Sequence, residues 1–357
     1  MSDWENTVRC ITPYVPGEQP KEKDIIKLNT NENPFPPSPK VREALEAFKY
    51  GDLRLYPDPD ATELVKGIAE LHKVKTSQVF VGVGSDDVLS VAFLTFFYSD
   101  RPVLFPDITY SFYDVWAKVY NIRFETIPLN GEMHINTDDY LRENGGIVLA
   151  NPNAPTGVLE SVDDIEKIVS GNPGSVVIVD EAYIDFGGES CLPLLKKYDN
   201  LLVVRTFSKS HSMAGIRIGY AIGSEKLIKY MNDIKFSINS YTMNRLTIAC
   251  GAAELSDPSY FKANCDKVVR TREYAKNALK RLGFEFPDSK SNFIFAKHEK
   301  VAAERIFEEL KKRKIYVRHW DKPGIDNYLR ITIGTSTDMR KLYDVLSDIL
   351  GVKEVQL

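Results

Sequence analysis

Lys209 closes an apolar run that turns abruptly into hydroxyls: Val203-Val204-Arg205-Thr206-Phe207-Ser208-Lys209-Ser210. Arg217 follows in Gly215-Ile216-Arg217-Ile218-Gly219. A lysine held among such groups can lose its proton and attack a carbonyl carbon. Three further polar clusters also follow apolar runs. Val176-Val177-Ile178-Val179 delivers Asp180, with Tyr183 three residues on; a turn-forming carboxylate gives the same pattern. Asn151-Pro152-Asn153-Ala154-Pro155-Thr156-Gly157 is a rigid turn carrying amides, or a plain loop. Gly82-Val83-Gly84-Ser85-Asp86-Asp87 offers free backbone N–H groups to an anion; a capped helix start looks alike. It lacks the third glycine of a dinucleotide fingerprint, and its two aspartates oppose an anion unless only their N–H groups face it.

Together the clusters ask for one ligand. It carries a phosphate, for the glycine turn, Ser208 and Arg217. It carries an aldehyde for Lys209, and a ring nitrogen that needs the carboxylate of Asp180. Pyridoxal 5'-phosphate has all three.

Residues so far apart must be brought together by a fold. From about residue 61 short apolar runs alternate with amphipathic stretches. Strands are predicted over residues 78–83, 102–105, 123–128, 147–150, 176–179 and 202–206, with helices over 61–72, from 88 and from about 165. Continuous apolar strands between helices indicate an α/β fold with a mostly parallel sheet covered on both faces. Open sheets of this kind bind ligands at the carboxyl ends of their strands. After about residue 245 the texture changes to a smaller α+β domain. It has a helix over 264–282, a strand over 292–296, a helix over 302–313, strands over 316–318 and 328–333, and a last helix from 337. Residues 1–40 hold Pro13, Pro16, Pro20, Pro34, Pro36, Pro37 and Pro39, which exclude a regular helix or a central strand. They read as an arm laid over another part of the molecule. The expected division is thus an arm over 1–40, a large cofactor-binding domain over 41–245 and a small domain over 246–357.

Composition narrows the rest. Lys and Arg number 46 against 50 Asp and Glu, a net charge of −4 over 357 residues, which argues against a duplex nucleic-acid binder. The four cysteines, Cys10, Cys191, Cys250 and Cys265, form no C-x-x-C pair, and no histidine sits at zinc spacing beside one. No metal site is expected. The polar, acidic start is no signal peptide, and the most apolar stretch, residues 88–98, is about half the ~20 residues a membrane span needs. A cytoplasmic, soluble protein is the expectation.

The motifs N-P-N-A-P-T-G, V-D-E-A-Y, T-F-S-K-x-x-x-x-A-G-I-R-I-G-Y and L-R-I-T-I-G-T stand in the order and spacing of the fold-type I pyridoxal-phosphate enzymes, which the sequence resembles along nearly its whole length. The arm segments I-T-P-Y-V-P-G-E and L-N-T-N-E-N-P-F-P-P-S-P resemble the histidinol-phosphate aminotransferase branch. That resemblance implies a covalent link from Lys209 to the cofactor, with Lys209 shuttling the substrate proton. It implies that Asp180 faces the pyridine nitrogen, Tyr183 and Asn153 the ring 3'-oxygen, and Tyr110 the ring face. Ser85, Asp86, Ser208 and Arg217 would hold the phosphate, and Tyr56 would reach it from the neighbouring subunit of a homodimer. Tyr14, Arg318 and Arg330 would bind the substrate's anionic group; for Arg318 a surface salt bridge is the alternative. The implied reaction, a step of histidine biosynthesis, exchanges the amino group between L-histidinol phosphate and 2-oxoglutarate, giving imidazole-acetol phosphate and glutamate. An aromatic aminotransferase, a phosphothreonine-type decarboxylase and a catalytically silent binding module are the competing expectations. The branch usually has asparagine where this chain has Ala154, which is why the 3'-oxygen contact falls to Asn153.

Overall fold

The computed structural model describes residues 3–352. Its centre is a seven-stranded sheet in the order Val79–Gly82, Gly219–Gly223, Leu201–Thr206, Val177–Asp180, Gly146–Ala150, Val103–Pro106, Phe124–Ile127. Gly219–Gly223 runs antiparallel to both its neighbours; the remaining neighbours pair in parallel.

The continuous apolar strands are explained by two cores. Ile178, Leu202 and Val204 pack with Val88, Leu89, Phe93 and Trp116 on one side of the sheet. Val177, Val179, Leu201 and Val203 pack with Ile165, Ile168 and Val169 on the other. Successive side chains point to opposite faces of a strand, and here both faces meet helices, so no position is left for a polar residue. Each such side chain contributes roughly 1.5–3 kcal/mol by burial. In these strands the polar residues come only at the end, Asp180 in one and Arg205 and Thr206 in the other.

A second sheet, Arg318–His319, Leu329–Thr332, Phe293–His298, Phe284–Glu285, is antiparallel throughout. The helices Pro258–Arg281, Ala303–Lys312 and Ser336–Leu350 pack against it, and their common core takes in Leu28, Ala154 and Tyr183 from outside this region. The proline-rich arm is indeed laid over other elements. Ile26–Lys27 pairs in parallel with Ile315–Tyr316, and Thr332 donates its backbone N–H to Leu28.

Several boundaries differ from the expectation. The helix expected from residue 264 begins at Pro258, capped by the Asp257 carboxylate on the Tyr260 N–H. Asp257-Pro258 is the same cap-then-proline signal as Ser38-Pro39, which starts the helix Pro39–Ala47. The helix expected from Val88 starts at Ser85, because Gly84 at φ 85° turns the chain straight out of its strand. The helices Phe112–Val119, Glu225–Ile238 and Arg245–Leu255 and the antiparallel strand Gly219–Gly223 were not anticipated.

Candidate active site

Three strands, Gly146–Ala150, Val177–Asp180 and Leu201–Thr206, end side by side and open onto one cavity. Asp180 sits at its base, 5% exposed. Its carboxylate accepts from the Tyr113 hydroxyl at 3.0 Å and the Ala182 N–H at 3.1 Å. Burial pushes its pKa up to about 6; the two hydrogen bonds act the other way. Among the described residues no cation pairs with it, so its charge is met only by those two hydrogen bonds.

The Lys209 ammonium enters the same cavity, where it donates to the Thr30 carbonyl at 3.2 Å and lies 5.8 Å from the Tyr183 ring centre. The loops carrying Asp180 and Lys209 are bolted together from behind. Arg205 donates to Glu181 at 3.0 Å and to Asp185 at 3.3 Å, and Ser210 donates to Asp185 at 2.7 Å. Arg205 and Glu181 are both largely buried, so removing either would strand the other charge.

At the opposite end lies an anion cradle. The Arg217 guanidinium donates to Ser208 Oγ at 3.2 Å and pairs with Asp86 at 3.3 Å. Arg217 itself sits at φ 61°. The backbone approaches closely here: a Cβ on Gly219 would lie 2.3 Å from the Ser85 nitrogen, and one on Gly84 2.4 Å from the Arg217 guanidinium. Of the two acids near this cradle only Asp87 turns its carboxylate away, and the Asp86 carboxylate stays beside Arg217. Asp87 turns back to accept from the Val83 N–H at 2.8 Å, and Asp86 accepts from Tyr110 at 2.7 Å. Burial and the Asp86 charge hold the Tyr110 phenol well above its ordinary pKa, so it stays a neutral donor.

A second chamber adjoins the first and shares Lys209, Tyr110, Tyr183 and Arg217 with it. Arg330 and Arg318 reach into it from adjacent strands of the small sheet. Arg330 donates to the Asn29 carbonyl at 3.0 Å, lies 5.2 Å from the Trp320 ring centre, and leaves its buried Nε without a partner. Burial lowers its pKa. Arg318 forms no salt bridge among the described residues; it donates to the Pro16 and Val15 carbonyls of the arm and lies over Trp320. Tyr14 stacks on Phe112 at 4.2 Å and forms part of the wall.

Two expected residues lie outside this chain's own chambers, which for Tyr56 agrees with a role in a neighbouring subunit. Asn153 does not line either chamber. Its amide is spent inside the turn, donating to Ile108 and Thr156 and accepting from Thr109. Ala154 lines the cavity instead, and the Asn153 amide expected at the 3'-oxygen is engaged within the turn. Tyr56 is 78% exposed, stacks on Tyr241 at 4.7 Å and belongs to a separate groove with Phe48, Leu53 and Arg245. Residues missed in the sequence also line the site or support it. Tyr113 follows Tyr110 at helical i+3 spacing, a signal that was available; Asn31, Thr30 and Trp320 carried none.

The family description Aminotransferase class I and II matches residues 23–346. The chain belongs to that family. This aminotransferase is 51% identical over 351 residues to the histidinol-phosphate aminotransferase of Lactococcus lactis subsp. lactis, covering 98% of each chain. It is 51% identical over 332 residues to that of Brachyspira hyodysenteriae, covering 93% of this chain and 94% of the relative. Among solved structures, the histidinol-phosphate aminotransferase of Sinorhizobium meliloti in complex with pyridoxal-5'-phosphate superposes with a TM-score of 0.84 at 23% identity, over 91% of each chain. L-threonine-O-3-phosphate decarboxylase from Porphyromonas gingivalis gives 0.78 at 23% identity, over 92% of this aminotransferase and all of the other chain. The fold is therefore shared by both chemistries and does not separate them.

Proposed function

We propose that this chain is a histidinol-phosphate aminotransferase of histidine biosynthesis. It exchanges an amino group between L-histidinol phosphate and 2-oxoglutarate, with pyridoxal 5'-phosphate as cofactor. One observation carries the substrate class: Arg330 and Arg318 face a chamber that opens onto Lys209. Planar guanidinium forks take a phosphate or a carboxylate bidentately. The same pair therefore suits a phosphate ester in one half-reaction and a dicarboxylate in the other. The near-complete alignment to relatives of that name supports the same reading.

The cavity fits the cofactor. It presents a buried unpaired carboxylate, one amine, and at its far end an arginine–serine cradle beside a helix N-terminus, too tight for a Cβ at Gly219. Bound there, the cofactor supplies an aldehyde for amine exchange and a ring that draws electrons from the reacting carbon. Asp180 holds a proton at the ring nitrogen by its negative charge. Lys209 Nζ would take the proton from the amine-bearing carbon of the substrate and deliver it to the carbon that was the cofactor's aldehyde. Tyr110 closes the ring's face, and Ser85, Asp86 N–H, Ser208 and Arg217 anchor the phosphate. Tyr14 covers the substrate.

The exposed apolar side chains of Leu53, Leu55, Tyr56 and Tyr241, which lie together, support a homodimer, in which Tyr56 would serve the partner's cradle. Residues 41–245 would form the cofactor-binding unit and 246–357 the smaller one. No helix among the described residues is long and apolar enough to cross a membrane, in keeping with a cytoplasmic enzyme. The deciding assay mixes the loaded protein with histidinol phosphate and 2-oxoglutarate. Glutamate should form only when both are present. Failure to form it, or release of CO₂ without need of the oxo-acid, would replace this reading.

A further inference from the structure

The displacement of Asn153 from the cavity leaves a question of which side chain donates to the ring oxygen. Asn31 answers it indirectly. This residue is 1% exposed and sits at φ 56°. Its backbone N–H donates to Thr332 Oγ1 at 3.0 Å. That occupies an acceptor site on the hydroxyl, whose own hydrogen then goes to Asn31 Oδ1, also at 3.0 Å. With Oδ1 accepting, the other end of the amide must be the NH₂ group. That end lies 2.9 Å from the Tyr183 hydroxyl, so Tyr183 accepts. The Asn31 carbonyl is fixed as well, by the Asn292 amide at 2.9 Å.

Donor logic thus runs one way along the chain: backbone N–H to Thr332, Thr332 to Asn31, Asn31 to Tyr183. The hydrogen of the Tyr183 hydroxyl has no acceptor among the described residues. It is left for the cavity that Tyr183 shares with Lys209 and Asp180. We infer that Asn31 is a positioning residue that fixes Tyr183 as a hydrogen-bond donor into the cavity, in compensation for the apolar Ala154 beside it. Tyr183 then touches the cofactor's ring oxygen, and Asn31 acts only through Tyr183. The inference rests on the cofactor reading above.

The test is spectroscopic. A hydrogen bond donated to the ring oxygen favours its anionic form, so its loss raises the pH midpoint of the bound cofactor's visible absorbance. Asn31→Asp keeps the size and the left-handed backbone but turns the donor into an acceptor, which captures the Tyr183 hydrogen. Asn31→Asp and Tyr183→Phe should each raise the midpoint by about one unit, the order of one hydrogen bond. Combined, they should add less than about a third more, because both remove one contact. Thr332→Val frees the amide to flip and should shift the midpoint the same way, by less, providing a second reading if Asn31→Asp does not fold. The inference is overturned if the folded, cofactor-loaded variants keep the wild-type midpoint. It is equally overturned if Asn31→Asp shifts as much in the Tyr183→Phe background as alone, since Asn31 would then act without Tyr183. A wild-type protein that gains no visible band with pyridoxal phosphate would instead remove the cofactor reading itself.

Discussion

The Tyr113 hydroxyl points its hydrogen at the Asp180 carboxylate from 3.0 Å, inside a core where both groups are nearly sealed from water. The bond opposes what burial does. Without it, the carboxyl pKa would stand still further above its ordinary 3.8 than the present value of about 6. Tyr113→Phe should therefore weaken cofactor binding at neutral pH, because less of Asp180 is ionised to meet a ring cation. Equilibrium titration with pyridoxal phosphate at pH 6 and pH 8 checks this. The loss should be several-fold at pH 6 and smaller at pH 8; equal losses would contradict it.

The same carboxyl predicts a stability effect with a definite sign. Its folded pKa lies above its unfolded value, so the folded apoprotein binds the extra proton between about pH 4 and pH 6. Its contribution is intact below the unfolded pKa and falls away as pH rises through about 6. A shift of this size is of the order of 3 kcal/mol. Asp180→Asn apoprotein should melt higher than wild-type apoprotein at pH 8, and the gap should narrow at pH 5. Identical melting curves at pH 8 would show that Asp180 is not strained by burial.

Arg330 and Arg318 are predicted to differ in weight. Arg330 is half-buried with a sealed, unpartnered Nε, whereas Arg318 lies at the arm. Replacing a buried charge that binds an anion costs about 2–5 kcal/mol. Arg330→Ala should lower kcat/KM by roughly 10²–10³-fold, in both half-reactions. Arg318→Ala should lower it by about tenfold, the scale of one charge-assisted bond. Single-turnover kinetics of each half-reaction separate them.

Shared sites in a homodimer can be tested by mixing. Lys209→Ala and Tyr56→Ala should each be impaired alone. Refolded together in equal amounts, half of the dimers are mixed, and each mixed dimer has one intact site and one doubly damaged one. About a quarter of wild-type activity should return. Activity no greater than the sum of the two parents would place Tyr56 in its own subunit's function.

Selectivity separates the aromatic-aminotransferase alternative. Tyr14, Phe112 and Trp320 form an aromatic wall that an imidazole or a phenyl ring could meet equally. The arginines make the difference. The kcat/KM for histidinol phosphate should exceed that for phenylalanine in wild-type protein, and Arg330→Ala should narrow the ratio.

Much of the site was legible because an open sheet translates sequence into position. A polar residue after a buried strand lies at or just past a strand end, and Asp180 and Lys209 fall there together. Distances across the chain were not legible. Asn31 gives no local signal; its role depends on Thr332, which only the docking of the arm brings near. Asn153 was misplaced for a related reason. One-residue resolution within a turn decides which side chain faces in, and the bonds to Ile108 and Thr109 that turn Asn153 away come from a distant loop.

The arm carries one more consequence. Asn31 and Thr332 are 301 residues apart, yet they bond directly in the wall of the site. At a synthesis rate of about 5–20 residues per second, the arm waits roughly 15 seconds to a minute for its partner strand to be made. The large sheet can form on the ribosome in that interval, but the chamber cannot close. A segment translated early is thus built into the catalyst late.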